Sequence, residues 1–268
     1  MKDKYLAFDI EIAKKQLEDK EDWKIYRPLG IICAAAIAAT DVSQNAQWSW
    51  FGHDEYVDGR FSAKMSKSEV QRIVRILESL TGLGYKILTW NGLGFDFDIL
   101  AEESKMYDEC KALALNHIDM MFHFFCSKGF PLGLDAAAKG MSLPGKLEGM
   151  DGAKAPEIWP DDPYKVLAYC SLDVKNTLAL AEAVEKMGHL DWTARSGRAN
   201  SWECSKWLTV KEAMALPEPD TSWMTDPWTR SKFYGWIENE PEPAFDGTGV
   251  AQWDPDGGNH WIDGPDET

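Results

Sequence analysis

The first apolar run of this chain, a strand read from Tyr5 to Ile10, closes on Phe8-Asp9-Ile10-Glu11, two carboxylates where a buried strand should hold none. Phe8, Ile10 and Ile12 mark it as a central strand, and Asp9 and Glu11, two residues apart, share its other face. An acid in an apolar interior is costly unless it is paired or ligates a metal. Asp173 meets the same difficulty mid-helix among apolar neighbours, with Tyr169 one turn before it on the same face. A further acid closes the turn Asn91-Gly92-Leu93-Gly94-Phe95-Asp96, at the start of a predicted helix. Asp9, Glu11, Asp96 and Asp173 would repel one another on a common surface. Divalent cations relieve that repulsion, and hard ones such as Mg²⁺ take oxygen ligands.

The elements around these motifs alternate as in a layered α/β fold. Ile31 to Ala39 is continuously apolar and reads as a central strand. Gln47 to Phe51, with Trp48 and Trp50 alternating, reads as its hairpin partner, so a mixed sheet is expected. Ser66-Lys67-Ser68-Glu69 is a capping box. Val70, Ile73, Val74, Leu77 and Leu80 then recur at helical spacing until Gly82 and Gly84. Ile87 to Trp90 predicts a short buried strand, Asp96 opens a helix running to about Tyr107, and His117 to Phe122 predicts another strand. Lys14 to Arg27 is highly charged and predicts a loop or short helix beside the acids. Asp162-Pro163 supplies an N-cap and a first-turn proline. The helix that follows turns Val166, Leu167, Cys170, Val174, Leu178, Ala181 and Val184 inward.

Order, spacing and element type of the three motifs suit a two-metal phosphodiesterase, and they resemble the DEDD superfamily of 3′–5′ exonucleases on the ribonuclease H-like fold. The resemblance covers roughly the first two-thirds of the chain. Asp9 and Glu11 match the family's first motif, Asp96 its second, and Asp173 with Tyr169 its third. A tyrosine four residues before the last aspartate is similar to the DEDDy branch, which includes proofreading domains of DNA polymerases. The sister branch has a histidine five residues before that aspartate, where this chain has Ala168.

The resemblance implies a mixed five-stranded sheet flanked by helices. It implies two Mg²⁺ or Mn²⁺ ions held by Asp9, Glu11, Asp96 and Asp173, with Tyr169 orienting the attacking water. Asn91 and Phe95 are implied to shape the pocket for a terminal nucleotide. The implied activity is 3′–5′ hydrolysis of single-stranded DNA to nucleoside monophosphates. DNA is favoured over RNA, although an exoribonuclease would use the same five residues. A non-catalytic nucleic-acid-binding or scaffold module on the same fold is the alternative from another class, and the intact acidic quartet argues against it.

Each candidate has a plainer reading. Asp96 would serve as a helix N-cap, and Asp98 is its nearest competitor as the second-motif acid. Asp96 is preferred because it follows Phe95 directly in the Asn-Gly-x-x-Phe-Asp pattern. Tyr169 without Asp173 would be a core aromatic. His117, Asp119 and His123 invite a metal reading, but a zinc site needs a further ligand with no evident place. A structural or substrate-facing role is expected for them.

The chain of 268 residues is long enough for one α/β domain and an appendage. The expected partition is an exonuclease domain over 1–190, a Trp-rich appendage over 191–238 and an acidic tail over 239–268. Eight of the 13 tryptophans lie beyond residue 190, and those from Trp192 to Trp236 read as core more readily than as base-stacking groups. Thr209 to Glu212 is a second capping box. After Lys232 there are nine acids and no lysine or arginine, so the tail is expected to be disordered or loosely attached. Its Phe245, Trp253 and Trp261 leave a protein partner or nucleic-acid mimicry as options.

The net charge of −16 sits oddly with a polyanionic substrate, but −9 of it falls from Asp191 onward. Two divalent cations would offset the acidic quartet. Contact with only a few phosphates would then suffice, and binding should be salt-sensitive. Five scattered cysteines, Cys33, Cys110, Cys126, Cys170 and Cys204, form no Cys-x-x-Cys pair and predict buried free thiols in a reducing compartment. No apolar run has the length of a membrane span, and Met1-Lys2-Asp3-Lys4 leads directly into a strand. A cytoplasmic location without membrane contact is the expectation.

Overall fold

Side-chain alternation in the strand Lys4–Ile12 (β1) divides the core in two. Leu6, Phe8, Ile10 and Ile12 belong to one apolar cluster, and Tyr5 and Ala7 to another on the opposite face. Asp9 and Glu11 continue the row of Tyr5 and Ala7. The computed structural model describes residues 4–15, 23–39, 45–53, 61–145, 150, 152–194 and 196–238. The acidic tail expected over 239–268 lies outside the described residues.

After β1 come a 3-10 turn at Trp23–Tyr26, β2 (Ile31–Ala38), β3 (Ala46–Phe51), α1 (Lys67–Gly82), β4 (Tyr85–Thr89), α2 (Asp96–Ser104) and α3 (Tyr107–Asn116). Then follow β5 (Ile118–Asp119), α4 (Met120–Lys128), α5 (Leu134–Gly140), α6 (Ala155–Ile158) and α7 (Pro163–Met187). The chain continues with β6 (His189–Thr193), β7 (Ala199–Glu203), α8 (Val210–Met214) and α9 (Ser231–Glu238).

The main sheet runs β3-β2-β1-β4-β5, with β1 at its centre. The β1–β2 and β2–β3 pairs are antiparallel, and the β1–β4 and β4–β5 pairs are parallel. This is the mixed five-stranded, helix-flanked sheet that the resemblance implies. Val70, Ile73, Phe97 and Leu100 of α1 and α2 cover the Leu6–Ile12 face. Val166, Cys170, Val174 and Ala181 of α7 cover the other. One detail of register positions the site. β4 pairs with Lys4 to Ala7 of β1, so among the described residues the second half of β1 has no strand along that edge.

Local signals explain most boundaries. Ser66 and Glu69 form the capping box of α1, and Thr209 and Glu212 form that of α8. Asp162 accepts the Lys165 amide at 3.0 Å to start α7, and Gly188 ends it in the left-handed region at φ 78°.

Two expected elements differ. The strand predicted over His117 to Phe122 is confined to Ile118–Asp119, because the Asp119 carboxylate accepts the Phe122 amide at 3.0 Å and starts a helix there. The helix from Asp96 ends at Ser104, where Lys105 turns left-handed at φ 60°, and Tyr107 begins a new one.

β6 and β7 form a separate hairpin. Trp192 and Trp207 are buried, with Trp207 Nε1 donating to the Ala181 carbonyl of α7 at 3.2 Å. Trp223 and Trp228 are 67% and 44% exposed, so the Trp-rich segment divides between core and surface. All five cysteines are buried and free. Among the described residues no helix is long and apolar enough to cross a membrane.

Candidate active site

The acids of β1 point toward α7, and α7 answers with Tyr169 and Asp173 one turn apart. The Tyr169 hydroxyl is hydrogen-bonded to the Asp173 carboxylate. Burial pushes the phenol well above its ordinary value, and the charges of Asp173, Glu11 and Asp9 push it further. It is therefore a protonated hydrogen-bond donor at neutral pH.

Asp96 enters from the neighbouring strand. It is the first residue of α2, but Phe95 holds the N-cap position. The Asp96 carboxylate instead reaches across and accepts the Ile10 amide at 3.1 Å. That amide belongs to the half of β1 that β4 leaves open, so the carboxylate takes a place a neighbouring strand would otherwise fill. Burial raises the Asp96 carboxyl to about 7, and the nearby Asp119 charge adds to the rise.

Asp9, Glu11, Asn91, Phe95, Asp96, Tyr169 and Asp173, all named from the sequence, line one cleft of about 530 Å³. It opens at the carboxyl end of β4, beside the unpaired half of β1. Trp90, Met121, Leu132, Thr177, Trp228 and Phe233 line it too, and no motif in the sequence marks any of them for the site. Trp228 belongs to the Trp-rich segment, whereas Phe233 reaches the cleft from α9, more than 130 residues after Phe95, with no local signal.

A buried network fixes the turn after β4. Asp119 Oδ1 accepts the Asn91 and Phe122 amides, each at 3.0 Å, and Oδ2 accepts the Leu93 amide at 2.9 Å. Asn91 sits at φ 74°, which asparagine tolerates better than most residues. Thr89 Oγ1 accepts the Gly92 amide at 3.1 Å. A Cβ on Gly92 would lie 2.4 Å from that oxygen, so the approach requires glycine. His117 Nδ1 donates to the Ala114 carbonyl at 2.6 Å, and its Nε2 accepts from the Thr89 hydroxyl at 2.9 Å. Trp236 Nε1 closes the outer side on the Leu93 carbonyl at 2.7 Å.

The trio His117, Asp119 and His123 therefore does not converge. Burial holds His117 down at about 3 and His123 at about 4, so both are neutral. His123 packs against Trp202 and Trp207. Asp98, the competitor of Asp96, lies 2.5 Å from Arg27 Nη2 and 3.8 Å from Lys24 Nζ, and it does not line the cleft.

The donor chemistry fits a hard cation. Carboxylate oxygens of Asp9 and Glu11 lie within 4.8 Å of each other and of Cys170 Sγ. A hydrogen bond with Cys33, then burial, pushes the Cys170 thiol well above its ordinary value. A protonated thiol is a poor ligand, which leaves oxygen donors of the kind Mg²⁺ and Mn²⁺ prefer.

A family model described as the RNase_H superfamily matches residues 49–185. The chain belongs to the RNase_H superfamily. The superfamily match spans Asn91, Phe95, Asp96, Tyr169 and Asp173, and β1 with Asp9 and Glu11 precedes it. No curated protein matches the chain. Among solved structures, this RNase_H-superfamily chain is similar to the family B DNA polymerase of the hyperthermophilic archaeon Pyrobaculum calidifontis, at 18% identity and TM-score 0.47 over 69% of this chain and 25% of that one. It is also similar to a product-bound exonuclease I, at 14% identity and TM-score 0.38 over 69% and 44% of the two chains. A third is E. coli exonuclease I in complex with a dT13 oligonucleotide, at 12% identity and TM-score 0.31 over 69% and 41%. The chain spans less than half the length of each of these proteins.

Proposed function

We propose that this protein is a metal-dependent 3′–5′ exonuclease of the DEDDy kind, acting on single-stranded DNA and releasing nucleoside monophosphates. The observation that carries the reading is the convergence of Asp9, Glu11, Asp96 and Asp173 with Tyr169 in one cleft, from three separate parts of the chain. Ala168 supports the tyrosine branch, because it is exposed to solvent while Tyr169 beside it is buried.

Asp9, Glu11, Asp96 and Asp173 would hold two Mg²⁺ or Mn²⁺ ions. When bound, such ions supply a hydroxide-like nucleophile at neutral pH and charge neutralisation at the phosphorus and the leaving oxygen. Tyr169 contributes a fixed hydrogen bond. Its phenol stays protonated and gives its one hydrogen to Asp173, so its oxygen would orient the attacking water as an acceptor and not deprotonate it. Asn91 and Phe95 shape the wall for the terminal nucleotide, and Phe95 is braced edge-on by Trp23 at 5.2 Å. Trp228 offers an aromatic surface at the same mouth.

The test is digestion of 5′- and 3′-labelled DNA and RNA oligonucleotides with Mg²⁺, Mn²⁺, Ca²⁺ or EDTA. The expected result is stepwise loss from the 3′ end of DNA with Mg²⁺ or Mn²⁺ and none with EDTA. Ca²⁺, less strict in geometry, should not support comparable turnover. Full activity in EDTA would sink the metal reading, preferential RNA digestion would make the protein an exoribonuclease, and no turnover with any ion would leave a binding module.

A further inference from the structure

A groove of about 1060 Å³ adjoins the acidic cleft and shares Pro131, Leu132 and Gly133 with it. Its far wall is the β6–β7 hairpin, which lies beyond the residues matched by the superfamily model. Its floor and rim carry the groups that recognise a polynucleotide strand. Lys128, in the last turn of α4, and Arg198, at the hairpin tip, supply two cations. The acid of the groove, Asp135, is paired with Lys139 at 2.6 Å. In a chain of net charge −16, a positive pair beside the acidic cleft needs a reason.

Trp223 gives one. It is 67% exposed, yet its indole is held in place. Nε1 donates to the Asp220 carbonyl at 3.1 Å, and the ring stands edge-on to Phe130 at 6.1 Å. The loop bearing it is anchored, since a Cβ on Gly129 would lie 2.4 Å from Thr221 Cγ2. Arg230 adds a bond from Nη2 to the Pro217 carbonyl at 2.7 Å. The base of the hairpin turn is tied as well, because the Ala194 amide donates to the Arg198 carbonyl at 2.8 Å and Gly197 takes φ 82°. An exposed indole on a braced loop, lining one groove with two cations, is a surface on which a base stacks while phosphates meet charge.

We propose that this groove carries the single-stranded polynucleotide on the 5′ side of the terminal nucleotide, with Trp223 stacking a base and Lys128 and Arg198 contacting phosphates. The proposal rests on the nuclease reading of the adjoining cleft and assigns the C-terminal hairpin a substrate-holding role.

Two measurements test it separately from that reading. The first is fluorescence-anisotropy binding of a labelled thymidylate dodecamer in EDTA, with ribo, abasic and polyglutamate competitors of equal charge. The second is turnover with Mn²⁺ on a dinucleotide and on the dodecamer. Trp223→Ala should weaken dodecamer binding about 5- to 100-fold. Lys128→Ala with Arg198→Ala, the first half-buried and the second exposed, should lower the slope of log affinity against log salt by about 1.4. Neither change should alter dinucleotide turnover. Wild-type affinity in both variants, equal binding of the abasic strand or polyglutamate, or equal turnover on dinucleotide and dodecamer would overturn the groove while leaving the nuclease intact. Groove-dependent binding without cleavage under any ion would overturn the nuclease and leave the groove. A ribo-dodecamer that binds as well as the DNA supports the groove and makes it indifferent to sugar.

Discussion

Asp96 and Asp98 sit in the first turn of one helix, each 3% exposed, and their surroundings are opposites. Two residues on a helix point about 200° apart, so the pair faces two different interiors. On one side the protein supplies its own counter-charge, since Asp98 meets Arg27 and Lys24, and Glu102 meets the same Arg27 at 3.2 Å. On the other, Asp96 meets backbone amides, Ile10's among them, and faces a cleft shared with Asp9, Glu11 and Asp173. Burial still pushes the Asp98 carboxyl up, but its built-in cations offset part of that cost, and removing them would leave the charge uncompensated. A buried acid among other acids costs stability until something outside the chain neutralises it. That contrast separates the structural site from the proposed catalytic one more sharply than burial does.

The largest expected effect is that of Asp96→Asn, which should lower turnover by several orders of magnitude. The same change should stabilise the metal-free protein at high pH. The folded Asp96 carboxyl titrates near 7 against 3.8 for an ordinary one, so the folded state holds its proton more tightly. Stability of the wild type therefore falls as pH rises from about 4 through 7, and the asparagine variant escapes that fall. Thermal melts in EDTA at pH 8 and pH 4 should show the variant ahead at pH 8 and the gap closing at pH 4. A variant less stable at pH 8 would break the comparison.

Tyr169→Phe removes only the hydroxyl that meets Asp173. Folding should be unchanged and kcat should drop by about 10- to 1000-fold. Asp173→Asn should be at least as damaging. If Tyr169→Phe turned over like wild type while His123→Ala did not, the tyrosine reading would fail.

Arg27→Met tests the opposite face. It leaves Asp98 and Glu102 without their main cation and should cost about 3–5 kcal/mol in a denaturant melt. Turnover per folded molecule should stay near wild type. A large loss of turnover at intact stability would instead place Asp98 in the chemistry.

The smallest effect concerns His117, buried and neutral with its value pushed down to about 3. Here the sign reverses, since the unfolded chain takes up a proton first as pH falls below 6.5. Wild-type stability should drop by up to about 1.4 kcal/mol per pH unit below that point. His117→Asn lacks this loss, so the stability gap between the two proteins should narrow from pH 7 to pH 4.5 in urea melts. A gap that stays constant would mean the imidazole is charged in the fold.

Much of this arrangement is legible in the residues themselves. The acids of β1 stand out because Phe8, Ile10 and Ile12 leave no apolar reason for them. Tyr169 and Asp173 share a face because a helix repeats every turn, and the Ser66–Glu69 and Asp162–Pro163 signals place the helices around them. These are local properties, set by side-chain periodicity and by which backbone amides a nearby side chain can reach. Local signals fail where a partner is distant. The strand expected from His117 to Phe122 stops at Asp119, whose carboxylate takes the distant Asn91 and Leu93 amides as well as that of Phe122, where a helix starts.

The sequence by itself therefore determined the layered α/β fold and singled out the candidate acids, because strand and helix periodicity and the turn motif before Asp96 are local. Only the tertiary structure gives the reason Asp96, preferred from its motif, turns to the cleft and Asp98 away from it: β4 stops short and leaves the Ile10 amide to be met. It alone brings Trp228 and Phe233 to the same mouth and Trp223 to the neighbouring groove. Contacts between residues so far apart in the chain are selected by packing of the whole core, and no pattern within either segment encodes them.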